Sequence, residues 1–150
     1  MENKNHPERS LMHTLSVPFI WSIVVPLLIL DFFMELYHRV CFPIYNIPLV
    51  DRSKYIKFDR HKLDYLEPMD KINCVYCGYA NGLLRYTAVI AGETEKYWCA
   101  IKHAKTEGYV EPEHHKDFLE YGDEEGFIRK YHREGFAEYE EKDGLEQVKK

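Results

Sequence analysis

The chain has little of what marks several common protein classes. Its net charge is −5, so it lacks the global basic field that binds nucleic acid, and we expect no nucleic-acid partner. It has no glycine-rich phosphate loop, no dinucleotide fingerprint and no internal repeat. Its four cysteines are too few and too unevenly placed for a secreted disulfide scaffold. Metal or redox use in a reducing compartment fits them better.

Residues 15–36, LSVPFIWSIVVPLLILDFFMEL, form a long apolar run. Its summed free energy of membrane insertion is roughly −6 kcal/mol before penalties. Asp31 lies off-centre, and Pro18 and Pro26 disturb a helix without forbidding a span. The run predicts one transmembrane helix, or a helix lying partly in the interface. A buried helix of a soluble domain is the alternative, whereas a cleaved signal peptide is disfavoured because no small-residue cleavage site follows.

The rest of the chain divides by composition. We expect a polar N-terminus over 1–14, a membrane-surface linker over 37–66, a helical Cys/His domain over 67–137 and a charged tail over 138–150. The linker begins with an aromatic, proline-broken exit from the membrane and continues as RSKYIKFDRHKLDYL, whose basic residues suit acidic headgroups. A small excess of Lys and Arg after the apolar run, together with the free thiols, predicts an inner (cytoplasmic) membrane protein. Its C-terminal domain would then lie in the cytoplasm.

Three cysteines and a histidine have the spacing of a four-coordinate metal site. Cys74, Cys77, Cys99 and His103 read as C-x2-C-x21-C-x3-H. Gly78, directly after the second cysteine, is typical of a metal-binding knuckle. Cys99 and His103 are at i and i+4, so they share one face if the segment is helical. The pattern predicts a Cys3His site, with zinc favoured because these ligands close its tetrahedron.

A shared site places a condition on the helix predicted beyond the turn signal at Asn81-Gly82. A continuous helix would carry Cys99 about 24 Å from its start, whereas the residues 78–82 recover at most about 17 Å. We therefore expect a break at 91–94, AGET, where Gly92 can end one helix and Thr94 begin the next.

Other uses of the thiols stay open. An iron–sulfur cluster would take the same ligands, or recruit Cys41, and would bring electron transfer. Cys74 and Cys77 could instead exchange disulfides, and thiols that merely pack are a further alternative.

Three further clusters are predicted to have no catalytic or metal-binding role. Glu35 and His38 have the spacing of a di-iron ligand pair, but no second carboxylate helix is evident, so they are predicted to be interfacial residues. His114 and His115, within EPEHHKD, are predicted to be solvated. The run 59–61, DRH, is predicted to be a surface ion pair because no nucleophile lies beside it.

Two stretches carry a family resemblance. YIKFDRHKLDYLEPMDKINCVYCGYANG and TEKYWCAIKHAK resemble a family of small uncharacterised bacterial membrane-anchored proteins with an N-C-x-Y-C-x-Y-x-N-G … T-E-x-Y-W-C-x-I-K-H signature. The resemblance extends from about Asp31 to Gly126. It implies that Cys74, Cys77, Cys99 and His103 act as one unit. The family pattern often has Pro after the third cysteine, where this chain has Ala100.

Together these features predict a mainly α protein with one N-terminal membrane helix and a small, mostly helical domain stapled by a Cys3His metal site. Its expected function is non-enzymatic, a membrane-anchored, zinc-stabilised interaction protein whose partners are the lipid bilayer and another protein. The alternative is a membrane-tethered redox protein that uses an iron–sulfur cluster or thiol exchange at the CxxC pair.

Overall fold

The computed structural model describes residues 9–132 and is mainly helical over that range, which confirms the predicted fold class in its coarser form. The only β pairing within it is a single parallel bridge between Ile101 and Leu119. The chain forms two compact units, the first ending at Glu93 and the second beginning at Thr94. The α-helices are α1 (Ser10–Ser22), α2 (Val24–Ile44), α3 (Pro68–Trp98) and α4 (Glu124–Tyr131), and short 3-10 helices cover Arg52–Lys54, Arg60–Lys62 and Glu113–Asp117.

The apolar N-terminal segment is helical almost throughout. Ile23 separates α1 from α2 because Pro26 has no N–H to donate to the carbonyl four residues earlier, and the helical bonds resume at Leu27. Leu11–Ile44 has a mean hydropathy of 2.2 over its most apolar window, only 6% of which is buried, and is long enough to cross a membrane. A signal sequence would meet the same criteria of length and composition.

Helix α2 is longer than the sequence predicted. The expected proline-broken exit after residue 36 is wrong as far as Ile44, because Pro43 lies in the last turn of α2 and Phe42 is fully buried there. Leu27, His38 and Phe42 lie on the buried face of this helix.

The opposite face of α2 is apolar and exposed. Val25, Ile29, Phe33 and Leu36 follow helical spacing, and each leaves more than half of its surface exposed, at 61, 55, 61 and 52%. An uncovered apolar stripe of this length is what a lipid-facing helix presents.

Helix α3 is continuous where two interruptions were expected. Both the turn at Asn81-Gly82 and the break at 91–94 are wrong, because α3 runs unbroken over 31 residues. Leu83, Tyr86 and Ile90 recur on one face and are almost completely buried in the core of the first unit. Each glycine makes the helix less stable by about 1 kcal/mol relative to alanine, and the tertiary packing of the buried face outweighs this loss.

Two glycines let the linker lie directly on α3. A Cβ at Gly82 would stand 2.7 Å from the carbonyl oxygen of Tyr55 and 2.9 Å from the Cα of Ile56. A Cβ at Gly78 would stand 3.0 Å from the carbonyl oxygen of Lys57. The linker is therefore held against α3 at positions where no other residue type fits without displacement.

The second unit has short elements and a small core. Backbone hydrogen bonds link Leu119 to Ala100 and to Lys102, and Asp123 caps α4 by accepting from the Gly126 N–H at 2.9 Å. Among the residues described in this unit, only Ala100, His115 and Phe118 are buried. Because so small a core contributes little free energy to folding, a bound ion would add to the stability of this unit. Residues 133–150, which include the predicted tail, lie outside the described range.

The exposed stripe on α2 predicts that this helix holds the protein in a membrane. Val25→Asp together with Ile29→Asp should release the protein from membranes under carbonate extraction, because each charge costs a few kcal/mol against insertion. Val110→Asp with Tyr121→Asp, two exposed positions of the second unit, is the matched control and should stay in the pellet. If wild-type protein is itself extracted, the helix lies on the membrane surface or within the protein.

Candidate metal centre and polar network

The predicted metal ligands are divided between the two compact units. Cys74 and Cys77 lie one helical turn apart within α3 in the first unit, and Gly78 is helical, so no knuckle forms there. Cys99 follows the end of α3 and His103 lies in a loop, both exposed and both in the second unit. Within either unit, over residues 9–132, no group of three potential ligands includes any of these four. The four-ligand site stays a prediction, and α3 does not provide the break that it was expected to need.

A different group of potential ligands comes together in the second unit. The last turns of α3 contribute Glu95, and the 3-10 helix that begins after Pro112 contributes His114 and His115. The Nε2 atoms of His114 and His115 lie 2.9 and 3.2 Å from the same oxygen, Oε2 of Glu95. One ligand atom from each side chain falls within 4.8 Å of the others.

His115 is the most firmly held member of this group. It is 1% exposed, and its ring stacks on Phe118 with the centroids 4.6 Å apart. The prediction that both histidines are solvated is wrong for His115, while His114 is partly exposed. Nδ1 of His115 is buried without a hydrogen-bond partner in the described part of the chain. The arrangement with fewest unmet groups therefore leaves Nδ1 bare and places the ring proton on Nε2, facing Glu95.

The electrostatics of Glu95 follow from these contacts. Partial burial raises the pKa of this carboxyl, but the hydrogen bonds from His114 and His115 outweigh it and hold the pKa below its ordinary value of 4.5. Glu95 is therefore an ionised carboxylate at neutral pH, which is the form that binds a cation.

The spacing suits a small transition-metal ion. A tetrahedral ion with bonds of about 2.0–2.2 Å to nitrogen and oxygen keeps its ligands roughly 3.4 Å apart. The separations of 2.9 and 3.2 Å from Glu95 to the two imidazoles are hydrogen-bond lengths with a ring proton facing the carboxylate, so a bound ion would replace those protons and widen both separations towards that value. Two imidazoles and one carboxylate form the ligand set of open zinc and non-haem iron sites. His103 is near, with its ring centroid 5.8 Å from that of His115.

The first unit contains a separate polar network on the buried face of α2. Asp31, Glu35 and His38 are spaced i, i+4 and i+7, so they share one face. Arg52 binds Asp31 through both terminal nitrogens, one of them at 2.7 Å, and lies 3.7 Å from Glu35. Tyr79 donates its hydroxyl proton to Asp31 at 2.8 Å.

His38 and Tyr86 extend this network into the core. The N–H of Val50 donates to Nε2 of His38 at 2.9 Å, so the ring proton is on Nδ1, 3.0 Å from the hydroxyl of Tyr86. Tyr86 in turn donates to Glu35 at 3.0 Å. Glu35 and His38 are therefore each joined to Tyr86 by a hydrogen bond, and their predicted position at the membrane interface stays a prediction.

The two tyrosines are held in their protonated form. Burial, together with the hydrogen bond to Asp31, raises the pKa of Tyr79 to about 12. Burial, together with the hydrogen bond to Glu35, raises the pKa of Tyr86 to about 12.

The predicted ion pair among Asp59, Arg60 and His61 is wrong, since no salt bridge joins these three neighbours.

No protein-family model, curated protein or solved structure matches the chain. The resemblance to the bacterial family therefore stays a prediction, and the two clusters described above are the direct basis for function.

The ion pair between Asp31 and Arg52 predicts that replacing Arg52 lowers the free energy of unfolding more than replacing Arg39. Arg52→Gln should lower the free energy of unfolding by about 2 kcal/mol, because it leaves the half-buried Asp31 carboxylate without its guanidinium. Arg39→Gln, at a 70% exposed residue paired with Glu35, should cost under about 0.5 kcal/mol. Thermal unfolding in neutral detergent measures both, and equal losses would contradict a structural role for the Asp31–Arg52 pair.

The raised tyrosine pKa values predict alkaline destabilisation. The folded-state pKa of about 12 for Tyr79 and Tyr86 exceeds the ordinary 10.0, so their stabilisation is complete below pH 10.0 and is lost as pH rises towards 12. Tyrosinate absorbance should show two groups ionising late. In the variant with Tyr79→Phe and Tyr86→Phe, stability is lower at neutral pH but should fall less steeply across that window. An unchanged slope would show that the two phenols are not protected.

Proposed function

We propose that this chain is a membrane-anchored protein whose second unit binds a divalent transition-metal ion, zinc in the first place, and which acts through interaction at the inner face of the membrane. The observation that carries the proposal is the convergence of His114 and His115 on one oxygen of Glu95. The donor atoms are nitrogen and oxygen, which zinc accepts and which an iron–sulfur cluster does not use in this combination.

The anchor is proposed to be the helical segment 11–30, about 30 Å long and so matched to the apolar thickness of a bilayer. Asp31, with its bidentate partner Arg52, would then mark the end of the span, and Phe33 and Leu36 of the exposed stripe would lie in the interface beyond it. The same segment is tied to the rest of the first unit: Tyr76 donates to the carbonyl of Ile20 at 2.9 Å and stacks on Trp21. These contacts support a retained anchor rather than a cleaved signal sequence.

The metal is proposed to stabilise the second unit. With only three buried residues described there, the unit has little apolar area to offset the entropy of folding. An ion held by α3 on one side and the 3-10 helix on the other would cross-link segments about 20 residues apart in sequence. Three protein ligands leave one position open, which water, His103 or a partner side chain can occupy.

The Cys3His zinc site remains the rival ligand set, and the redox protein remains the rival function. For disulfide exchange, Cys74 and Cys77 would have to approach from the roughly 5–6 Å that separates Cβ atoms one helical turn apart to under about 4.5 Å. That approach would distort the first third of α3, directly before the residues from Gly78 onward that are buried. The geometry therefore favours the metal-binding function over thiol exchange.

Metal content of matched variants tests the proposal. Full-length wild-type protein in neutral detergent should carry about one equivalent of zinc, and the variant with Glu95→Gln and His114→Gln should lose it because both ligands become poor donors. Glu107→Gln with His61→Gln removes the same residue types at exposed sites outside the cluster and should retain the metal.

The cysteines provide the opposing outcome. Cys77→Ser and Cys99→Ser should each leave the zinc content unchanged. If they lose the metal while the Glu95 and His114 variant keeps it, the Cys3His site is right and the histidine cluster is only a hydrogen-bonded network. A protein that carries iron and absorbs visible light would instead support the redox function.

A further inference from the structure

A groove in the first unit concentrates positive charge. It has a volume of about 580 Å³, and its lining includes Lys54, Lys57, Arg60 and Arg85, with Asp59 as the one carboxylate. Four cations and one anion give this lining a net charge of +3, within a chain whose net charge is −5. All five side chains are exposed, and none of the four cations forms a salt bridge in the part of the chain that the structure describes.

The groove is built where the linker crosses α3. Gly78, Asn81, Gly82 and Arg85 are spaced i, i+3, i+4 and i+7, so they form one stripe on the helix. The two glycines allow the backbone of residues 55–57 to lie on this stripe at van der Waals distance. Lys54 and Lys57 of the linker are thereby brought to the same groove as Arg85 of the helix.

Holding several cations in one groove costs free energy through mutual repulsion, unless an anion shares the site. Lysine and arginine together are the usual ligands of phosphate, arginine through paired N–H groups and lysine as a point charge. Asn81 also lines the groove, and its amide nitrogen donates to the carbonyl of Cys77 at 2.9 Å. Its second N–H can donate to a ligand.

We propose that this groove binds the phosphate group of an anionic ligand. The ligand is either the headgroup of an acidic phospholipid or a free phosphate compound, and both have the chemistry that these cations recognise. The site does not depend on the metal centre of the second unit. Its lipid form rests on the proposed membrane anchor, whereas its free-phosphate form does not.

Phosphate titration of the full-length protein in neutral detergent tests the site. Inorganic phosphate, followed by calorimetry, should bind saturably to wild type. Lys57→Gln with Arg85→Gln should weaken binding roughly thirty-fold, as expected for the loss of two cations next to one phosphate. The control is Lys62→Gln with Lys96→Gln, which changes the net charge equally at exposed cations outside the groove and should alter binding less than about two-fold.

The two sources of phosphate are separated by competition. A short-chain phosphatidylglycerol that displaces inorganic phosphate at a tenfold or lower concentration identifies a headgroup site, and failure to displace it identifies a free-phosphate site; either result is consistent with the proposal.

Equal weakening in the two double variants, or no saturable binding of either probe by wild type, would overturn the proposal. Circular dichroism checks folding. If the variant with Arg85→Gln does not fold, Lys54→Gln with Lys57→Gln changes only the exposed linker, and an unchanged affinity there overturns the proposal as well.

Discussion

The first unit depends on the pairing of one carboxylate in an apolar helix with one guanidinium from the linker. Asp31 would be costly to bury alone, and Arg52 compensates it through two hydrogen bonds while Tyr79 supplies a third. Because Arg52 belongs to the linker and Tyr79 to α3, this one side chain sets where both lie against α2. Apolar packing around Phe42, Leu83 and Ile90 then fills the space that the polar contacts define.

Periodicity and composition predict the helical class and the apolar N-terminal segment, because both follow from residues close together in sequence. They fail where distant residues decide the outcome. Asn81-Gly82 is a local turn signal, yet α3 continues through it. Because Gly82 has no Cβ, the backbone of Tyr55 and Ile56 can approach the helix closely at this position. Gly92 likewise suggests a helix end, but the buried face of Tyr86 and Ile90 carries α3 past it. In each case tertiary packing outweighs a local preference.

The spacing of residues in the sequence does not predict the cluster of Glu95, His114 and His115. Glu95 precedes His114 by 19 residues without an intervening motif, so only the folded chain shows that they meet. The one local signal was the pair of adjacent histidines after Pro112, and its charged surroundings suggested solvent exposure. The stacking of His115 on Phe118 reverses that interpretation. Cysteine spacing can be recognised in the sequence because it is local, whereas the cluster of Glu95, His114 and His115 is assembled only by the fold of the second unit.

Nitrogen and oxygen atoms, and not sulfur, are proposed to hold the metal. X-ray absorption at the zinc edge, measured on full-length protein in neutral detergent, reads the ligand atoms directly. Coordination by Glu95, His114 and His115 predicts a first shell of light atoms at about 2.0–2.1 Å, with the outer-shell scattering of imidazole rings. A sulfur shell at about 2.3 Å would contradict it and assign the metal to the cysteines.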